Sequence, residues 1–506
     1  MHLTTRAVKN VGAIWLNLLV HAVVGFFLSP LILHRLGDQL FSLWVLVFTL
    51  TGYYGLLDLG IRSATVRYVA KFASVNDQDG LAKFVNTSLA FYCGVGLLSL
   101  LLTGIGYFYL PILFKLPSPD LLVARVLLLI AGTGMAFSFA CNVFMGILEG
   151  LERFASLGLT QVGFTLLRGA LIVIALNHGG KLLAIGGITV GTNLLGYTVF
   201  MCLARRVRPI QLSIKQVDRR VFRVMMAYGS FAFIILIAEK LRFQSDVTVI
   251  GALLSTSAIA SFTIGTKLIE YSSYVVRSMA QIFTPMSSQL YTIGDLPQLQ
   301  RTLVAGNRTC ALIIFPLCVI LIILGKPIIE LWVGARYLSS YPILLILAIP
   351  RSLYLAQSAS TKMLLGMGKH RWLALVLLME GVVNLVLSIV LARRFGLTGV
   401  ALGTAIPLTI TSLFFLPYHT SHHLRIGVGS FLRRAYLMPL AISVPLASVL
   451  LFLEREFPTH GYRALLSRLV CGGGVYCTAL YVAAFNHVSN TVRSWTTITI
   501  EPRQGS

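Results

Sequence analysis

Eleven Lys and Arg side chains lie inside stretches otherwise apolar enough to cross a bilayer: Arg62, Arg125, Arg168, Lys240, Arg242, Lys267, Arg277, Arg308, Arg351, Lys362 and Arg468. A cation at the centre of a spanning helix costs roughly 2.5–3.5 kcal/mol on insertion scales, so such residues usually face a bundle interior or a wet cavity. Glu239, Asp246, Glu270 and Glu380 sit at similar depth, and Asp58 precedes Arg62 by four residues. The interior is therefore polar, mixed in sign and biased positive. The chemistry this suits is the binding of an anion.

Helical phase at 100° per residue sorts these charges into stripes. In the eighth expected helix Lys267, Glu270, Tyr271, Tyr274 and Arg277 share one side; in the seventh, Glu239, Arg242 and Asp246 do so while Lys240 points elsewhere. The tenth aligns Arg351, Tyr354, Ser358 and Lys362, the fifth aligns Gln161 with Arg168, and the second sets Asp58 and Arg62 at i,i+4. Stripes on helices from both halves of the chain predict one cavity between the halves.

Asp58–Arg62, Glu239–Arg242 and Lys267–Glu270 read equally well as ion pairs that make insertion tolerable. Arg125, Arg308 and Lys362 fall near helix ends, where long cations snorkel, and Arg468 belongs to the last helix pair. Arg168, Arg277 and Arg351 have no acidic neighbour three or four residues away, which makes them the leading candidates for contact with a transported anion, followed by Arg62, Arg242 and Lys267. An Arg fork grips phosphate in two places; Lys acts as a point charge.

Glu380 and Asn384 form an i,i+4 pair of oxygen ligands. With Glu239 or Asp246 they could hold Na⁺, or Glu380 could carry a proton, since a low-dielectric site favours a neutral carboxyl. A plain interhelical hydrogen bond is the competing reading for Asn384. Asp58, Glu239, Asp246, Glu270, Glu380 and Asn384 together form the candidate ion-coupling set. His21, midway along the first helix, is either titratable or a packed contact residue.

The elements that position these groups follow from composition. Of 506 residues 57% are hydrophobic and 11% charged, and mean hydropathy is +0.84. A soluble domain carries about 25% charged residues, so the chain is an integral membrane protein. A span needs about 20 mostly apolar residues. That ruler predicts fourteen helices, beginning near Lys9, Leu40, Phe84, Leu121, Ser156, Leu182, Val224, Ala258, Val304, Tyr341, Trp372, Leu397, Leu437 and Arg463. The first reads as a retained helix rather than a cleaved leader. The net charge of +24 falls in short loops and helices with no aromatic-interleaved basic domain, so lipid headgroups and an anionic substrate fit better than nucleic acid. The seven cysteines form no CxxC pair, which gives no support to a disulfide framework or zinc site. No GxxxxGK[ST], HExxH or GxSxG occurs, and no large loop suggests a membrane-embedded transferase.

Most loop Lys and Arg fall on the side of both termini if the N-terminus is cytoplasmic, which predicts an even helix count with both ends in the cytoplasm. The densest basic run, 204–223, lies between the sixth and seventh helices and reads as a hinge. A faint repeat agrees: Gly150, Arg153 and Phe154 match Gly368, Arg371 and Trp372, Tyr53 matches Tyr271, and Ala184 and Gly186 match Ala401 and Gly403. The expected division is a six-helix bundle over 1–203, a basic linker over 204–223, a second six-helix bundle over 224–419, and two further helices with a cytoplasmic tail over 420–506. Corresponding helices keep the same orientation, so the repeat is parallel, about an axis along the membrane normal.

Leu36-Gly37, Phe41-Ser42-Leu43-Trp44 and Tyr53-Tyr54-Gly55-Leu56-Leu57-Asp58-Leu59-Gly60-Ile61, with the Glu149–Phe154 and Gly366–Arg371 turns, give the chain a recognisable layout. It resembles the Wzx-type polysaccharide flippases of the multidrug/oligosaccharidyl-lipid/polysaccharide exporter superfamily over about its first 420 residues. The resemblance implies two six-helix bundles opening alternately to either side of a cationic cavity, and no enzymatic activity. It implies undecaprenyl-diphosphate-linked oligosaccharide as substrate, membrane lipids as surroundings, polymerase and chain-length proteins as possible partners, the bacterial inner membrane as location, and no cofactor beyond a coupling H⁺ or Na⁺. Lipid II flippases of that superfamily hold Na⁺ among the seventh, eleventh and twelfth helices. Here Glu239, Glu380 and Asn384 fall on the seventh and eleventh, with acid and amide in reversed order. The alternatives are a multidrug exporter of the same fold, which handles organic cations and calls for an acidic cavity, and a membrane-embedded polymerase or transferase.

Overall fold

The structure, a computed structural model, describes residues 2–498 apart from 115, 117, 210, 370 and 458–460. The tail expected after the last helix, 499–506, and Lys115 lie outside the described residues. Among those described there is no strand, and helices follow one another throughout. In chain order they are α1 (His2–Gly52), α2 (Ile61–Ser74), α3 (Gln78–Leu113), α4 (Ser118–Gly150), α5 (Phe154–Asn177), α6 (Leu182–Val207), α7 (Arg219–Phe243), α8 (Ser245–Leu253) and α9 (Ala258–Ala280). Then come α10 (Phe283–Thr292), α11 (Leu296–Ile323), α12 (Gly325–Val333), α13 (Tyr341–Ala356), α14 (Ser358–Gly366), α15 (Arg371–Ile410), α16 (Leu416–His423), α17 (Val428–Glu456) and α18 (Tyr462–Ile498).

Ten described helical stretches are long and apolar enough to cross a membrane. Two of them, Gly12–Asp58 and Arg371–His423, are long enough for two crossings. The 51 residues of α1 would extend about 75 Å at 1.5 Å per residue against a hydrocarbon core of about 30 Å. That helix breaks at Gly37 (φ 78°, ψ 170°), and α15 breaks at Gly396 (φ 58°, ψ −133°), backbone regions that Gly adopts without the Cβ penalty. These breaks stand immediately before the expected starts at Leu40 and Leu397. The α7–α8 and α9–α10 stretches are helical where expected but are less apolar, because Glu239, Lys240 and Arg242 occupy one and Lys267, Glu270 and Arg277 the other. The architecture is that of an all-helical, multi-pass membrane protein. Large apolar side chains left exposed, such as Phe27, Leu97, Ile112 and Trp372, are accounted for by lipid as the surrounding solvent.

The chain groups into two compact units, Met1–Lys267 with His370–Pro407, and Leu268–Lys369 with Leu408–Ser506. Both are discontinuous in sequence, whereas the division expected from the basic run is linear. The first unit has a core of Phe84, Tyr92, Phe139, Val143 and Ile147, joined by Phe200 and Met225. Its helices approach closely at small residues: a Cβ added to Gly158 of α5 would stand 2.8 Å from the Ala13 carbonyl of α1, the kind of contact that packs helices in lipid. The second unit is centred on Val276, Cys310, Ile314, Phe315, Leu355 and Ala359, and Leu446 and Leu450 of α17 form a smaller cluster with Leu324.

The basic run is tied to α3 by side-chain hydrogen bonds. The Asn86 side chain of α3 donates to the Gln211 carbonyl (3.0 Å) and to Gln216 Oε1 (2.8 Å), and its own oxygen accepts from the Ser213 amide (2.9 Å). Thr87 Oγ1 accepts from the Asp218 amide at 3.0 Å. Two adjacent residues thus partner three backbone groups of the run, at Gln211, Ser213 and Asp218.

Candidate functional site: a buried ion cluster and a cationic pocket

Three helix interruptions decide where the charges go. A 3-10 turn, Tyr53–Asp58, ends in left-handed Leu59 (φ 50°) and Gly60 (φ 75°) before α2 begins. Gln244 (φ −122°, ψ −17°) separates α7 from α8, and Gln357 (φ −99°, ψ 16°) separates α13 from α14. Arg242 and Asp246 keep a common side across the Gln244 interruption, both meeting α15, whereas Glu239 is exposed on α7 itself.

Across the Leu59–Gly60 break, Asp58 and Arg62 are not one helix turn apart on a single element. Arg62 Nη2 reaches Glu149 Oε1 of α4 at 2.6 Å, and Asp58 accepts a short hydrogen bond from Tyr92 of α3. The expected Asp58–Arg62 pair gives way to two interhelical contacts that lash α2 and its preceding turn to α3 and α4. On α13, Arg351 and Tyr354 are half-buried, while Ser358 starts a new helix and is buried. The four-residue stripe over Arg351–Lys362 is accordingly split.

The α7–α8 interruption builds the most organised polar cluster in the first unit. Arg242 is 1% exposed and Glu380 of α15 5%, and their Nε–Oε1 separation is 2.5 Å. The expected Glu239–Arg242 pairing is replaced by this one: Glu239 is exposed, because α15 crosses α7 on the far side. Gly381 makes that crossing possible, since a Cβ there would come within 2.8 Å of Leu241 Cβ. One turn on, Asn384 Nδ2 donates to the Arg242 carbonyl at 2.9 Å. That carbonyl stands in the last turn of α7, where helix acceptors have no partner of their own. Asp246, at the start of α8, is 2% exposed. The Thr404 hydroxyl stands 3.0 and 2.9 Å from its two carboxylate oxygens and 3.2 Å from Asn384 Oδ1, and Ser388 donates to that same amide oxygen at 2.9 Å.

Oxygens of Asp246, Asn384, Thr404 and Ser388 thus converge, a donor set suited to a hard monovalent cation or to a proton. Among the described residues no three His, Cys, Asp or Glu side chains gather for a metal. Of the expected coupling set, Asp246, Glu380 and Asn384 meet here, while Asp58 and Glu239 do not. Arg242 is committed to Glu380 inside this cluster. Thr404 and Ser388 carried no signal in the sequence, where one Ser or Thr in a span resembles any other.

A second polar site in the first unit surrounds Arg168. The Ala13–Gly158 contact brings α1 against α5, and one turn further Asn17 Nδ2 donates to Gln161 Oε1 at 2.7 Å. Beyond them opens a cavity of about 370 Å³ lined by Asn17, His21, Gln161, Phe164, Arg168, Asn193 and Tyr197 among others. Arg168 is half-buried, and its Nη1 lies 3.4 Å from Asn193 Oδ1. Lys267 is half-buried at the end of this unit. In the second unit Arg277 is exposed on α9, and Tyr274 donates to Glu270 Oε1 at 3.1 Å one turn before it.

Residues 123–342 match the family described as Polysaccharide biosynthesis protein. An uncharacterised membrane protein of Bacillus subtilis, EpsK, is 20% identical over 411 residues, covering 80% of this chain and 81% of its own. A Shigella flexneri protein provisionally described as an O-antigen transporter is 20% identical over 414 residues, covering 80% and 96%. Among solved structures, the lipid II flippase MurJ in an inward closed conformation superposes with a TM-score of 0.72 at 16% identity, covering 96% of this chain and all of that one. By sequence layout, matched segment and fold, the chain resembles the Wzx-type polysaccharide flippases of the multidrug/oligosaccharidyl-lipid/polysaccharide exporter superfamily.

Proposed function

We propose that this protein flips an undecaprenyl-diphosphate-linked oligosaccharide from the cytoplasmic to the periplasmic leaflet of the bacterial inner membrane, for surface polysaccharide assembly. It is a multi-pass membrane transporter, not an enzyme, and belongs with proteins that handle lipid-linked sugars. The observation that carries the finer reading is Arg168: a guanidinium well inside a span, beside amides and aromatic rings and with no carboxylate in ion-pairing range among the described residues. Such a cation is costly in lipid and is kept where an anion visits. It would repel the organic cations of a multidrug exporter.

In this proposal two bundles open alternately, with both termini in the cytoplasm, as the loop Lys and Arg bias supports. Arg62, Arg168, Lys267, Arg277 and Arg351 guide the diphosphate and glycan while the polyprenyl chain stays in lipid. The Asp246–Asn384–Thr404 oxygens take an H⁺ or Na⁺ beside the Arg242–Glu380 pair, which couples ion entry to reopening. Glu270, held by Tyr274, is a further candidate for the same proton. A polymerase and chain-length proteins would receive the product.

The test is flipping of a fluorescent polyprenyl-diphosphate disaccharide that carries a uronic acid, in proteoliposomes, read by quenching of the outer leaflet. Arg168→Ala, Arg277→Ala and Arg351→Ala are each expected to slow transfer at least tenfold. Wild-type rates in all three would remove the cationic pathway from the reading.

A further inference from the structure

The cavity around Arg168 has features that a diphosphate site does not require. Its volume of about 370 Å³ is at the low end of the ~300–1,000 Å³ of small-molecule pockets. Among the described residues Arg168 is the one Lys or Arg in the lining, whereas a diphosphate carries at least two charges and calls for more than one cation. Three amide side chains, Asn17, Gln161 and Asn193, line the cavity together with the rings of Phe164 and Tyr197. The Asn17–Gln161 hydrogen bond uses the Asn17 nitrogen and the Gln161 oxygen. That leaves the Asn17 amide oxygen as an acceptor and the Gln161 amide nitrogen as a donor. Neighbouring hydroxyls on a sugar ring, each able to donate and accept, match that pair. Aromatic rings offer a flat apolar surface to the C–H face of the same ring. The Arg168 fork has the geometry for two parallel hydrogen bonds to a carboxylate, and its one contact among the described residues, to Asn193, is long.

We propose that this cavity, built by α1, α4, α5 and α6, is a glycan subsite that takes an acidic sugar, with Arg168 gripping the sugar carboxylate and Asn17, Gln161 and Asn193 reading its hydroxyls. The proposal rests on the flippase reading and narrows it to a substrate class, an oligosaccharide bearing a uronic acid. Arg168 is then the residue by which charged and neutral glycans are told apart, and the diphosphate is held elsewhere.

Two measurements on the full-length protein test this and separate it from the broader reading. The first compares flipping, in proteoliposomes, of fluorescent polyprenyl diphosphates carrying a glucuronate-terminated or a glucose-terminated disaccharide. Wild type is expected to prefer the acidic glycan, and Arg168→Gln to lower the acidic-to-neutral rate ratio about tenfold or more, as loss of a charge-assisted bidentate contact predicts. Arg168→Lys should retain part of the preference. Equal slowing of both glycans by Arg168→Gln would overturn the proposal and assign Arg168 to the diphosphate. An unchanged ratio would overturn it as well. The second measurement is saturation-transfer NMR with the two free disaccharides at millimolar concentration. Signal from the acidic disaccharide in wild type, lost in Arg168→Gln and weakened in Asn193→Ala, supports the subsite even if no flipping is seen and the transport reading fails. No signal from it in wild type overturns the subsite while leaving flipping to be judged by the first measurement.

Discussion

Arg242 is the side chain whose loss should be felt most. Its guanidinium is 1% exposed and sits 2.5 Å from Glu380, so removing it strands a carboxylate away from water. Breaking one side of a buried pair typically costs about 3–5 kcal/mol, whereas replacing both partners by apolar groups is often close to neutral. Arg242→Ala is thus expected to lower the unfolding temperature in detergent sharply, and the double variant Arg242→Met/Glu380→Leu to recover most of the loss. A double variant no more stable than Arg242→Ala would mean that the pair is not a self-compensating unit. None of this was visible along the chain. The sequence showed Arg242 three residues from Glu239 and offered that as the pair; the true partner is 138 residues away. Arg62 likewise finds Glu149, 87 residues on, rather than Asp58. Local spacing identifies which residues are charged at depth, but choosing between partners needs the helix crossings. Gln161 and Arg168 were aligned correctly because α5 runs unbroken from Phe154 to Asn177.

At the scale of elements, apolar length alone located the helices, and the breaks at Gly37 and Gly396 stand just ahead of the expected starts at Leu40 and Leu397. Asp58 and Arg62 are parted by the Leu59–Gly60 break and Arg351 and Ser358 by Gln357, whereas Arg242 and Asp246 stay together across Gln244 and only Glu239 turns away. The α7–α15 crossing depends on Gly381, where an added Cβ would lie 2.8 Å from Leu241 Cβ. Forcing atoms into a tight contact costs about 1–3 kcal/mol. Gly381→Ala is therefore expected to destabilise the protein by that amount in a chemical denaturation series and to disturb the Asn384 contact with α7. A variant with unchanged stability would show that the two helices can part without cost.

The whole molecule carries a net charge of +24 and, in the proposed cycle, exports an anion from a negative interior. Each elementary charge crossing 100 mV is worth about 2.3 kcal/mol. An inside-negative potential imposed on proteoliposomes is expected to speed outward flipping, and one of opposite sign to slow it. A rate indifferent to potential would show that the substrate charge is fully neutralised before it crosses. Orientation in the membrane, too, is a property of the whole chain, and the uneven share of loop cations is what supports it.

The Asn86–Thr87 attachment of residues 211–218 has a consequence of its own. A chain of cations that wanders spreads its attraction over every position it visits; one stitched down at several points keeps Arg205, Arg206, Lys215, Arg219 and Arg220 in a fixed constellation. At physiological ionic strength charge is felt over only about 8 Å, so a stationary cluster would gather acidic lipid headgroups in one small patch instead of thinly around the perimeter.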